Sequence, residues 1–157
     1  MTQIDFYILP DSSLEAQLHF ACRLTEKAQR LGRKVYIATG DRQQSEQLDE
    51  LLWTFRPESF IPHACQESTD DSETTEGKTN NMDVSVLIGH TNNGGNHHDL
   101  LINLSRKVPD CFSRFERLSE IVIQEHSVLS KTRENYKFYR DRGYPIRSHD
   151  LRTRNSR

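Results

Sequence analysis

The sequence predicts an α/β fold of three layers: a mostly parallel sheet with helices on both faces. Three observations carry this. Short β-branched and aromatic runs alternate with stretches of helical periodicity along the chain. The opening order is strand, helix, strand, which fits a parallel βαβ unit with a right-handed crossover. The run Val84–His90, VSVLIGH, is apolar enough to lie in the middle of a sheet covered on both sides.

In chain order, Ile4–Leu9 is the first expected strand, ended by Pro10. Ser12 and Glu15 have capping-box spacing, and Leu14, Leu18, Ala21, Leu24, Ala28 and Leu31 then recur at helical intervals until Gly32 closes the helix. Lys34–Ala38 is the second strand. Asp41 caps a helix running through Leu48, Leu51 and Leu52 to Trp53. Arg56–His63 holds Pro57 and Pro62 and reads as a rigid connection, with Trp53, Phe55 and Phe60 beside it as core or as a partner patch. Gln66–Asp83 is polar and acidic, with only Met82 to bury, and reads as a mobile acidic loop. After the strand Val84–His90 comes a turn-rich loop to Asp99, then a strand at Leu100–Leu104. Phe112, Phe115 and Leu118 are spaced for a short helix over Asp110–Leu118 after Pro109. Ile121–Ile123 is the last expected strand. Ser127 then caps a basic helix that ends at Gly143. The expectation is a single domain over residues 1–157, with a basic C-terminal extension at 145–157.

The chain has 157 residues, 34% of them hydrophobic and 28% charged, and a net charge of −2. That balance does not suit a protein that neutralises nucleic acid with its whole surface. The charge is uneven, however. From Lys131 onward the basic residues Lys131, Arg133, Lys137, Arg140, Arg142, Arg147, Arg152, Arg154 and Arg157 face only Glu134, Asp141 and Asp150, so an anionic partner is expected there. Cys22, Cys65 and Cys111 are widely spaced with no CxxC, as for reduced thiols, Cys22 and Cys111 filling the core. The start MTQIDFYIL does not read as a signal peptide, and no apolar stretch reaches bilayer length, so a cytoplasmic location and no membrane partner are expected.

Catalytic signatures are weak. There is no GxxxxGK[ST], and the first strand-to-helix turn, Leu9–Ser13, lacks glycine. His97, His98 and Asp99, with His90, His63 and Cys65, invite a metal hypothesis. No zinc spacing is present, and adjacent loop histidines point different ways. Gly94-Gly95 as a phosphate nest is equally weak, and no serine sits in a GxSxG context. What remains is the basic helix, where arginine and lysine beside tyrosine suit an acidic, partly apolar ligand. No cofactor, metal or catalytic residue is expected.

The strand IDFYIL, the segments LDELLW (48–53) and ESFIPH (58–63), the strand DLLINL (99–104) and RENYKFYRDRGY (133–144) occur in an order that strongly resembles the chi subunit of bacterial DNA polymerase III, over nearly the whole length. The resemblance implies a Rossmann-like fold and a non-catalytic accessory subunit that joins the clamp loader through the psi subunit. It also implies binding of the acidic, phenylalanine-terminated C-terminal tail of the single-stranded-DNA-binding protein, hence indirect contact with single-stranded DNA. Carried onto this sequence, Arg133 meets the tail's carboxylates, Tyr136 and Lys137 are its neighbours one turn on, and Arg140 adds charge. Trp53 and Phe60 resemble exposed aromatics that contact partners. Leu129 stands where the family has a further basic residue, with Lys131 as the substitute; the acidic insert and the Arg-rich end also depart from the family. Two alternatives to this adaptor stand beside it: a metal- or nucleotide-dependent enzyme using the His97-His98-Asp99 loop, and direct nucleic-acid binding by the Arg-rich end.

Overall fold

The computed structural model describes residues 1–55, 61–65, 84–91 and 94–152. The expected acidic loop Gln66–Asp83, Phe60 and the last arginines lie outside the described residues. The strands are β1 (Gln3–Ile8), β2 (Val35–Ala38), β3 (His63–Cys65), β4 (Val86–Gly89), β5 (Leu100–Asn103), β6 (Arg117–Val122) and β7 (Ile146–Asp150). They form one sheet in the order β3-β4-β2-β5-β6-β1-β7. Every pairing among them is parallel. The helices are α1 (Leu14–Arg30), α2 (Arg42–Thr54) and α3 (His126–Asp141). The predicted α/β class holds.

The central strands β2, β4 and β5 are buried at every position, which is why their sequences are apolar without alternation. One face of the sheet packs Val35, Ile37, Ile88 and Ile102 against Leu18, Ala21 and Cys22 of α1 and Leu48 and Leu52 of α2. The other packs Ile4, Phe6, Leu101, Leu118 and Val122 against Tyr139 of α3 and against Phe112 and Phe115. Burial pushes the Cys22 thiol up to about 12, so it is an inert core group.

Both glycine stops are real. Gly32 and Gly143 have φ of 77° and 79°. After α1, Arg33 N–H donates to Ala28 O and Gly32 N–H to Gln29 O; after α3, Tyr144 N–H donates to Tyr139 O and Gly143 N–H to Arg140 O. Each set is a Schellman closure, which needs the left-handed residue at the position after the cap.

Several local expectations are corrected. Ser13, not Ser12, caps α1, its Oγ accepting from Ala16 N–H at 3.1 Å. Asp41 caps α2 as expected, accepting from Gln44 N–H at 2.8 Å. α3 begins before Ser127: Glu125 is the cap, its carboxylate accepting from Val128 N–H at 3.1 Å and from the Ser127 hydroxyl. The Asp110–Leu118 helix is a single 3₁₀ turn at Phe112–Arg114, after which Phe115 is extended and Leu118 lies in β6. A three-residue turn puts Phe112 and Phe115 on the same side as a helix would, and the long-range pairing of β6 with β1 and β5 claims the residues beyond. The connection near His63 supplies β3, and residues 146–150 of the expected extension pair with β1 as the edge strand β7. β3 is only three residues long and β7 is polar and largely exposed, features that suit sheet edges.

Candidate functional site

α1 leaves β1 toward one face of the sheet and α3 leaves the neighbouring strand β6 toward the other. Adjacent parallel strands whose helices diverge leave a crevice at their carboxyl ends, the usual ligand position in such sheets. Here it is a groove of about 480 Å³. Phe6 and Ile8 of β1, Val122 of β6 and Leu129 of α3 give it an apolar floor. Tyr136 forms a wall, 40% exposed, its ring 5.5 Å from that of Phe6. Arg133, Lys137 and Arg140 line the rim along α3, and Ser148 and Arg152 line it from the β7 side.

The rim carries free positive charge. Among the described residues no carboxylate lies within ion-pair distance (4.0 Å) of Arg133 or Lys137. Arg140 reaches the adjacent Asp141 at 3.3 Å, an exposed contact that water screens. Arg152 grips Asp150 at 2.8 and 2.9 Å, and those bonds hold the Asp150 carboxyl down to about 2. The groove therefore presents apolar surface beside two unneutralised cations four residues apart on one helix face.

α3 is fixed from below. Glu120 is buried on β6, and its Oε2 accepts from the Tyr139 hydroxyl at 2.7 Å and from Asn103 Nδ2 at 2.9 Å. No cation pairs with it among the described residues. Burial raises its pKa to about 7, while hydrogen bonds from Asn103, Tyr139 and Asn135 pull it down. Burial pushes the Tyr139 phenol further up still, with the Glu120 carboxylate adding to it. Asn135 and Tyr139 come from α3, Asn103 from β5 and Glu120 from β6, so the network clamps the groove's helix to the sheet.

Of the residues expected from the sequence, Arg133, Tyr136, Lys137 and Arg140 converge on this groove. Lys131 does not line it; it is 3.8 Å from Glu134, both largely exposed. Trp53 is 50% exposed on α2, across the sheet from the groove, with its ring 4.4 Å from that of His63. Phe60 lies outside the described residues. The floor residues of β1 and β6 were not singled out in the sequence, because only the sheet brings them beneath α3, and Arg152, named there only as part of the basic C-terminal charge, reaches the rim through β7. Glu120, Asn103 and Asn135 were also missed, because only the packing of α3 on β5 and β6 brings these three polar residues together.

The histidine loop is divided by the fold. His97 is buried, which lowers its pKa, while His98 is exposed and Asp99 accepts from Lys34 N–H at 2.7 Å. His63 sits 3.0 Å from Asp49. Among the described residues no group of three or more His, Cys, Asp or Glu side chains is placed to hold a metal ion. Gly94, with φ of 73°, packs close to Cys111 and Phe115. No described helix is long and apolar enough to cross a membrane.

Residues 1–147 match the family model described as "DNA polymerase III chi subunit, HolC". The chain is 40% identical over 151 residues to DNA polymerase III subunit chi of Pseudomonas aeruginosa, covering 96% of this chain and 98% of that one. It is 30% identical over 146 residues to the subunit chi of Haemophilus influenzae, covering 93% and 95%. For the Escherichia coli protein of the same name the identity is 29% over 150 residues, covering 93% and 96%. Among solved structures, T4 UvsW superposes with a TM-score of 0.65 at 8% identity, over 95% of this chain and 41% of that one, a likeness of fold alone.

Proposed function

The chain belongs to the DNA polymerase III chi-subunit family, and on that premise we propose that it is a non-catalytic adaptor whose groove binds the acidic, phenylalanine-terminated tail of the single-stranded-DNA-binding protein. The observation that carries this reading is the pairing of an apolar floor with Arg133 and Lys137, which lack carboxylate partners among the described residues. A terminal phenylalanine packs on Phe6, Ile8 and Val122 beside the Tyr136 ring. Its carboxylate and the preceding acidic side chains meet the Arg133 fork, with Lys137 and Arg140 as further charges. Leu129 enlarges the floor in place of a cation. Held this way, the protein ties the polymerase assembly to coated single-stranded template without touching the DNA through this groove. On the opposite side of the sheet, Trp53 is a half-exposed aromatic suited to a second partner, the psi subunit or another clamp-loader subunit.

The test is titration of a labelled acidic peptide ending in phenylalanine. Arg133→Ala removes charge-assisted hydrogen bonds of about 1.5–3 kcal/mol, an affinity loss of roughly ten- to a hundred-fold. Replacing the peptide's last residue by alanine, or amidating its terminus, weakens binding by a similar factor. Trp53→Ala leaves it unchanged. Equal affinity for wild type and Arg133→Ala removes the assignment.

A further inference from the structure

The face of the sheet opposite the groove carries a second basic surface. Arg117 and Ser119 of β6, Asp5 and Tyr7 of β1, and Arg147 and His149 of β7 alternate onto it, since their neighbours Leu118, Phe6 and Ser148 face the groove side. α1 covers only part of it. Between the end of α1 and the strands lies a recess of about 240 Å³, lined by Lys27, Arg33, Arg117, Asp5, Tyr7 and Leu31. Three exposed cations there meet one acid. That acid, Asp5, is buried, and its two oxygens are taken by Arg117 at 3.6 Å and His149 at 3.1 Å. Among the described residues Lys27, Arg33 and Arg147 have no carboxylate partner.

Beside this recess the rings are ordered. Arg23 lies over Phe20 at 5.3 Å, Phe20 leans on Tyr7 at 5.3 Å, and His149 stacks on Tyr7 at 4.5 Å with only 11° between the planes. Asp5 Oδ1 accepts from His149 Nε2 at 3.1 Å, which fixes the imidazole by its edge and leaves its ring nearly parallel to that of Tyr7. β7 is the edge strand of the sheet, and the His149 side chain there stays 34% exposed while it stacks on Tyr7. A row of rings ending in an oriented, partly exposed imidazole, flanked by guanidinium and ammonium groups without carboxylate partners, is the arrangement that single-stranded nucleic acid uses: a base continues the stack and the phosphates find the cations.

We propose that this surface binds single-stranded nucleic acid, with one base stacked on His149 and the adjoining phosphates held by Arg147, Arg117 and the Lys27–Arg33 pair. An acidic peptide would use the charge but not the flat outer ring, which is why the nucleic acid is the better fit. The surface is separate from the groove and does not depend on what the groove binds. It would let an adaptor touch the strand whose coat protein it holds.

The experiment is fluorescence anisotropy of a labelled oligothymidylate with the full chain at low salt, run in parallel with the acidic peptide. Binding is expected to weaken with salt, since neutralised phosphates release counterions. Lys27→Glu with Arg33→Glu should weaken oligonucleotide binding at least ten-fold and leave peptide binding intact, which also shows that the variant is folded. His149→Ala should weaken it several-fold and His149→Phe restore it. Arg133→Ala should leave the oligonucleotide unaffected. The proposal is overturned by no oligonucleotide binding at low salt, by equal affinity in the double charge-reversal variant, by indifference to His149→Ala, or by loss of the peptide instead of the oligonucleotide.

Discussion

Glu120→Gln is expected to abolish a pH dependence of stability that originates in one carboxyl. Glu120 is 5% exposed, has no cationic partner among the described residues, and has its pKa raised from 4.5 to about 7 by burial. The folded protein therefore binds this proton more tightly than the unfolded chain does. The stabilisation it gives is complete below pH about 4.5, is lost as pH rises toward 7, and stays lost above. At about 1.4 kcal/mol per pH unit, the interval amounts to about 3 kcal/mol. Glutamine keeps an oxygen to accept from Asn103 and Tyr139 but takes up no proton, so its own cost is the same at every pH. Urea unfolding followed by far-ultraviolet circular dichroism at pH 4.5 and pH 8 reads this directly. The stability difference between variant and wild type should move by about 3 kcal/mol in favour of the variant at the higher pH, or roughly 1–3 M in midpoint. Other titrating groups are common to both proteins and cancel. Parallel pH profiles for the two proteins would show that Glu120 does not hold its proton as its burial requires.

Three further outcomes follow from single contacts. Ser13→Ala should cost about 1 kcal/mol through the lost cap on α1, whereas Ser12→Ala should change little; thermal melts of the two variants compare them. Gly94→Ala combines a left-handed φ of 73° with a Cβ that would lie 3.0 Å from Cys111 Sγ and Phe115 Cε1 and against Arg114. Strain of about 1–2 kcal/mol and overpacking of about 1–3 kcal/mol should lower unfolding stability, and a loss under about 0.5 kcal/mol would contradict the packing. Leu129→Lys adds to Arg133 and Lys137 a third cation without a carboxylate partner, its stem still on the floor. The acidic peptide should then bind about two- to five-fold tighter at low salt, with a steeper salt dependence, as for one added exposed ion pair.

The layer architecture, the two long helices α1 and α2 and both glycine stops were legible in the sequence, because apolar periodicity and a residue free to adopt positive φ are local properties. So was the basic helix: Arg133, Tyr136, Lys137 and Arg140 are spaced to share a face, and spacing is all that face needs. The caps at Ser13 and Glu125 were misplaced because two candidate oxygens stood within reach of each helix start, and backbone direction chose between them. The expected helix at Asp110–Leu118 dissolved because β6 gains two neighbouring strands, a long-range term that no window of residues contains. The same reason hid β7, whose polar residues become a strand only by lying beside β1. The groove itself was decided by the tertiary structure alone. The sequence supplied its charges, but a floor of Phe6, Ile8 and Val122 exists only where two strands 110 or more residues apart run side by side under one helix. Charge and periodicity travel with the chain; concavity arises when distant segments pack.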